Sequence, residues 1–426
     1  MHTISFKKVN TVVILLLCIS TTKSQTVALD GEIRPRMEYR DGLSKPLLNA
    51  NDPAVIGIQR TRLNLLFKSA VMSSYISFQD ARTFGQTPNA SDVATTGIYE
   101  AWSEMLLLPG TAFKIGRQAL SYDDRRLFSS PKWSNTGTSH DAALLKFGIN
   151  DLQAHLGVLY NNNTAIYQET YYTTVTKYRY MGFVWLSKNI MNGLNISAIG
   201  VDEGVQDTMV IKPKNYKKVG MNHAYTYGGN LNLDLDSMPV TAMVTAYFQS
   251  GESGIGSKMK GKMLAIKLGY KIADFLTVSA GADYLSGDDN NSDGIQNSFK
   301  KLYGADHYFN GSMEYWKTPI NEGLRDYYSG FTSKINSNLN FEASFHLFES
   351  DKDQTYNKVN NGRSLGSEID LLVNYKLNEW SSVEGGWSKY FTVANTLASK
   401  AIATNADISN PQWAYLMFTI KPSFLK

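Results

Sequence analysis

Nine of the twelve arginines in this 426-residue chain fall before position 130, and four of them, Arg34, Arg36, Arg60 and Arg62, form two pairs spaced two apart. A guanidinium is a fixed positive charge with a planar fork of donors, suited to holding carboxylate or sulfate rather than to acid–base chemistry. If both pairs lie on strands of one hairpin, all four project from one face as a ladder, an arrangement by which pores prefer anions. The interleaved Asp30, Glu32 and Glu38 allow a second reading, in which acids and bases pair as a structural lattice on a wall.

A second constellation is Asp123, Asp124, Arg125 and Arg126 with Phe128 and Trp133, flanked by Arg117 and Asp141. Charges beside aromatics grip a sugar by hydrogen bonding and stacking. The segment 121–139 is therefore the candidate for a constriction loop folded into a pore, the alternative being a solvent-exposed cap. Asp288, Asp289 and Asp293, with Asn290 and Asn291, offer oxygen ligands for calcium but lack the spacing and the glutamate of a helix-loop-helix site. No metal and no cofactor is expected.

Catalytic groups are sparse. The five histidines beyond position 24 are His140, His155, His223, His307 and His346. His346 lies near Ser344, but residues two apart on one strand make a poor nucleophile and base, so a hydrolase on a barrel wall is only the alternative of another class. The single cysteine, Cys18, sits in the leader and excludes disulfide and thiolate chemistry from the rest.

Residues 1–24 read as a secretory signal peptide: Lys7 and Lys8 precede the apolar run 12–19, with small or polar residues around Ser24. Removing Lys7, Lys8 and Lys23 leaves 39 basic against 38 acidic residues, a balance that names no nucleic acid partner. Beyond the leader no apolar stretch is long enough for a membrane helix. The 25 Tyr, 19 Phe and 7 Trp with 33 Gly and only 11 Pro instead suit strands that hide apolar surface from hydropathy averages by alternation.

That alternation is plain in 29–40, where Leu29, Gly31, Ile33, Pro35, Met37 and Tyr39 alternate with Asp30, Glu32, Arg34, Arg36, Glu38 and Arg40. A strand sends these sets to opposite faces, whereas a helix would mix them. The same pattern recurs in Leu63, Leu65 and Phe67 against Arg62 and Asn64, in Val244, Ala246 and Phe248 against Thr245 and Tyr247, and in Phe341, Ala343 and Phe345 against Glu342 and Ser344. Eight short turns rich in Asn, Asp, Gly and Pro alternate with nine long polar loops, which predicts eighteen strands in residues 25–426 with both ends on the periplasmic side. No repeat of propeller-blade length is present, and too few residues precede Leu29 for the plug of an energised receptor. Phe424, third from the end, supplies the C-terminal aromatic that barrel-assembly machinery reads.

The chain also resembles the alginate-export-type outer-membrane barrels and their porin-like relatives. The resemblance is carried by 116–127 (GRQALSYDDRRL), Trp133 and 137–142 with Asp141, and by 79–82, 284–289, 302–304 with His307, and 365–371. It implies an eighteen-stranded barrel with a charged lumen, some members exporting an anionic polysaccharide. One departure is Thr138, where alginate carriers have an arginine. The expectation is a monomeric, outer-membrane, non-enzymatic channel in contact with lipid, passing small or linear anionic solutes such as acidic saccharides; a weakly selective general porin is the alternative.

Overall fold

The computed structural model describes residues 25–86, 96–162, 178–206, 220–290, 292–356 and 359–425; the leader lies outside them. Among the described residues eighteen long antiparallel strands form one closed sheet. The first nine are β1 (Thr26–Asp41), β2 (Ala54–Lys68), β3 (Met72–Thr83), β4 (Gly97–Leu108), β5 (Thr111–Gln118), β6 (His140–Ile149), β7 (Leu152–Tyr160), β8 (Tyr180–Met191) and β9 (Leu194–Gln206). The second nine are β10 (Met221–Asp234), β11 (Val240–Gly251), β12 (Lys262–Ala273), β13 (Leu276–Leu285), β14 (Leu324–Lys334), β15 (Leu339–Glu349), β16 (Ser364–Lys376), β17 (Ser381–Phe391) and β18 (Gln412–Ile420).

Closure is made by β1, which pairs with β2 on one side and β18 on the other. Its register sets Arg34 opposite Arg60, Glu32 opposite Arg62, and Arg36 opposite Met417. With every strand paired twice, no edge is left, and the backbone groups at the lipid face are satisfied within the sheet. Ser423–Leu425 carries the last strand past Pro422, which has no N–H to give, while its carbonyl accepts from Gly31 N at 2.9 Å.

Burial is inverted relative to a water-soluble protein. In β1 the charged Glu32, Arg34, Arg36 and Glu38 are buried, while Ile33, Met37 and Tyr39 are exposed. The same outward set continues around the cylinder in Leu65, Ile76, Val184, Val244, Leu264 and Phe345. This is the alternation read from the sequence, with the apolar parity facing lipid.

The eight connections at one end are short, as the sequence predicts. Gly193 in the β8–β9 turn has φ +79°, and an added Cβ would stand 2.2 Å from the Asp234 carbonyl oxygen, so only glycine fits. The packed apolar cluster lies inside the cylinder, where Leu127, Phe128, Phe299, Met313, Tyr315 and Trp316 from two loops meet wall residues such as Phe183, Phe348 and Trp413.

Candidate functional site

The loop between β5 and β6, residues 119–139, runs through the lumen. It is anchored at both walls. On one, Asp123 accepts a hydrogen bond from Trp185 Nε1 of β8 at 2.9 Å, and Asp124 accepts from Thr245 of β11 at 2.7 Å. Arg126 pairs with Asp124 at 2.9 Å and with Asp283 of β13 at 2.6 Å, and lies 3.9 Å over Phe309. Burial pushes the Asp123 carboxyl above the usual range.

On the opposite wall the loop is held by the arginine ladder. Arg34 donates to the carbonyls of Lys132 and Ser134, the latter at 2.9 Å; Arg36 donates to Trp133 O at 2.9 Å and Arg60 to Ser134 O at 2.9 Å. The lattice reading holds alongside: Arg60 pairs with Glu32 at 2.6 Å, while Arg36 and Arg40 share Glu38 at 2.8 and 2.9 Å. Arg62 lies 3.7 Å over the Tyr99 ring and donates to Gln79 at 2.8 Å. Among the described residues its Nη2 has no hydrogen-bond acceptor.

A second infolded loop, residues 286–323, escaped the sequence reading. It runs beside the first: Tyr303 N donates to Leu127 O at 2.8 Å, Ser129 N to Tyr303 O at 2.9 Å, and Ala305 N to Arg125 O at 2.9 Å. Gly304 makes that approach possible, since a Cβ there would stand 2.2 Å from the Arg126 carbonyl oxygen. The far half docks on the wall through Tyr315, stacked 3.8 Å from Tyr390 and donating to Gly42 O at 2.8 Å, and through Met313 N, which donates to Glu368 at 2.7 Å. The available signal was aromatic density, with Phe299, Tyr303, Tyr308, Phe309, Tyr315 and Trp316 in a segment taken as polar.

Together the loops divide the lumen. An inner cavity of about 1180 Å³ reaches toward the short-turn end, and an outer one of about 290 Å³ opens among Arg40, Leu43, Glu314 and Lys317. Trp133, His307, Ser312 and Trp413 line both and so form the partition. Trp133 stacks on His307 at 4.2 Å and meets Trp413 and Tyr415 edge-on at 5.3 and 4.7 Å. The inner cavity has a basic side at Arg34, Arg60 and Arg62, and a more acidic part of its lining at Asp283, Asp326, Glu342, Asp370 and Glu384, where Arg126, Lys267 and His346 also lie. Such a site can draw a charged solute across a transverse field and slide a sugar ring past aromatic faces.

One expectation needs correction. Arg117 and Asp141 pair at 3.1 Å but are not at the constriction: they share the outward parity of Ile115, whereas Gln118 and His140 turn inward. Among the described residues the acidic run at 288–293 contributes to no group of three carboxylate or histidine side chains that could hold a metal ion. Asp288 is buried and accepts from the backbone amides of Asn290 and Asn297, both at 3.1 Å, Asp293 accepts from Ile295 N at 2.8 Å, and Asp289 is exposed; Asn291 lies outside the described residues. Ser344 donates to Asp370 at 3.4 Å, while His346 lies 3.0 Å from Asp326 and 3.8 Å from Asp370, so both side chains are held by carboxylates and, among the described residues, no hydrogen bond joins the serine to the histidine. Arg125 lines the inner cavity, 4.7 Å over Tyr308.

No curated protein sequence matches the chain. Among solved structures it is similar to OpdO of Pseudomonas aeruginosa, with a TM-score of 0.60 at 14% identity over 94% of this chain and 98% of that one. It is likewise similar to OccAB1 of Acinetobacter baumannii, with 0.62 at 11% identity over 94% and 97%. For OccK10 (OpdN) of Pseudomonas aeruginosa the values are 0.61 at 13% identity over 94% and 100%. At such identities the likeness carries the fold. The sequence profile described as alginate export, however, matches residues 26–408, nearly the whole barrel. With that match and a charged lumen inside a lipid-facing cylinder, the chain belongs to the alginate export family and is an outer-membrane β-barrel channel.

Proposed function

We propose that this channel passes small or linear anionic solutes, acidic saccharides among them, down their gradient, acting as a monomer without catalysis. The observation that carries this reading is the charge at the loop clamp. Among the described residues the ion pairs of Arg34, Arg36, Arg40, Arg60 and Arg62 are those with Glu32 and Glu38, and hydrogen bonds to carbonyls leave the guanidinium charges in place. A solute meets Arg36 and Arg40 in the outer cavity and Arg34, Arg60 and Arg62 in the inner one, beside the aromatic faces of Trp133 and Trp413 that line both. Export by cleavage of the leader and insertion by barrel-assembly machinery complete the proposal.

The acidic side of the inner cavity, with Asp283, Asp326, Glu342, Asp370 and Glu384, favours a second reading as a weakly selective general porin. Bilayer recording under a salt gradient separates the two, with a reversal potential displaced toward the anion supporting the first and one near zero the second. Arg62→Gln is the cleanest variant, because Arg62 holds no loop carbonyl among the described residues. It is expected to lower the anion preference while leaving conductance unchanged, and an unmoved reversal potential removes Arg62 from the selectivity reading. Replacing Arg34, Arg36, Arg60 and Arg62 together by Gln is expected to abolish the preference and also to free the loop.

A further inference from the structure

We infer that Lys258, Lys260 and Lys262 form a docking row for a phosphate-bearing lipid headgroup of the outer leaflet. The three lysines are exposed and alternate with Met259, Gly261 and Met263, which are buried toward the interior. The row is therefore a period-two array with all three ammonium groups outward. Lys262 opens β12, and the outward residues that follow it, Leu264, Ile266, Leu268, Tyr270 and Ile272, are all exposed apolar side chains. From 264 to 272 a strand tilted as in such barrels rises ~20 Å, close to the full lipid-facing band of ~25 Å. Lys262 thus stands at the upper limit of the hydrocarbon, with Lys260 and Lys258 in the headgroup layer above it.

The row is held in place. Lys258 N donates to Gly294 O at 2.9 Å and Lys260 N to Gln296 O at 2.8 Å, tying this backbone to the base of the long infolded loop. Exposed Tyr225 and Phe248 flank it on the outer face, Phe248 directly opposite Lys262, supplying the aromatic belt that marks a membrane interface.

Charge separates this row from arginines of the outer rim. Arg82 pairs with Asp80 at 2.6 Å, Arg117 with Asp141 at 3.1 Å and Arg325 with Asp351 at 2.8 Å. Among the described residues the ammonium groups of Lys258, Lys260 and Lys262 have no carboxylate partner, although Glu252 faces Lys258 across a backbone bridge. Three clustered ammonium groups at headgroup height, with the single carboxylate of Glu252 across from Lys258, carry a net positive charge that complements phosphate, the chemistry by which basic clusters recognise anionic lipid.

The test uses the full barrel, stripped of lipid in neutral detergent and titrated with diphosphorylated lipid A, with binding read by native mass spectrometry. Lys258→Gln, Lys260→Gln and Lys262→Gln combined should weaken binding at least tenfold. The corresponding triple arginine variant should stay within twofold of the parent, and Lys271→Gln at the opposite rim should change nothing. Dephosphorylated lipid A should bind poorly. Undiminished binding by the triple glutamine variant, equal binding of the dephosphorylated lipid, or displacement by inorganic phosphate as effective as by the lipid itself each overturns the proposal. Heat-modifiable electrophoretic mobility reports folding, and if the triple variant fails it, Lys260→Gln alone should still weaken binding severalfold.

Discussion

The guanidinium carbon of Arg36 lies 3.6 Å from the centre of the Trp133 ring, and the same ring stacks on His307 at 4.2 Å. Two groups that close to one ring centre cannot occupy the same face. The indole is therefore held between a wall arginine and the imidazole of the second infolded loop, within the partition between the two cavities.

Trp133→Ala removes that partition. A cation–π contact away from water is worth roughly 2 kcal/mol, so the loop tip should loosen as well as lose bulk. Single-channel conductance in a planar bilayer is expected to rise severalfold. An unchanged value means that ions do not pass the partition.

Arg126 is the residue on which the opposite anchor depends, since it pairs with both Asp124 and Asp283 in the interior. Arg126→Met leaves two buried carboxylates unanswered, a change that costs about 3–5 kcal/mol when one partner of a buried pair is removed. Denaturant unfolding followed by heat-modifiable mobility should show the loss, and adding Asp283→Asn should restore part of it. If the double variant is no better than the single, the cost lies in packing against Phe309 rather than in charge.

The barrel was legible because its determinants are local. Lipid requires an apolar residue at every second position of each strand, so Ile33, Met37 and Tyr39 announce one face and Arg34 and Arg36 the other. Turn chemistry at Asn192 and Gly193 is equally local. The inward loop was legible in outline, from charges and aromatics in a segment too long for a turn. Its anchors were not: Arg34 reaches Ser134 across 100 positions, and the acceptors are backbone carbonyls, which carry no residue-type signal. The second loop was hidden for the same reason, since its fit depends on Gly304 against the Arg126 carbonyl and Tyr315 against Tyr390. Arg117 could have been placed outside, because strand parity with Ile115 holds to the end of β5.

Thr138 lines the outer cavity with Arg36, Arg40 and Lys317 facing Glu38 and Glu314. Thr138→Arg adds a cation to that lining. The reversal potential should move further toward the anion, and an acidic oligosaccharide added on the loop side should block current at lower concentration. No change in either would place the outer cavity off the conduction path.

Glu314 gives the second loop an acid dependence. Burial works against its ionisation, but hydrogen bonds and charge from His307, at 3.2 Å, and Lys317, at 3.3 Å, outweigh it and hold the carboxyl below its ordinary value of 4.5. A carboxyl whose folded pKa is depressed lends stability that is complete above the unfolded pKa and fades as pH falls through the lower, folded one. Because His307 stacks on Trp133, protonating Glu314 should loosen the partition as well as the loop. Amide hydrogen exchange over 299–316 should therefore be slow at about pH 6 and faster, after correction for intrinsic rate, as pH drops below about 4. Glu314→Gln should exchange fast at both pH values and flatten the acid dependence. If the variant keeps the parental profile, another group governs the loop.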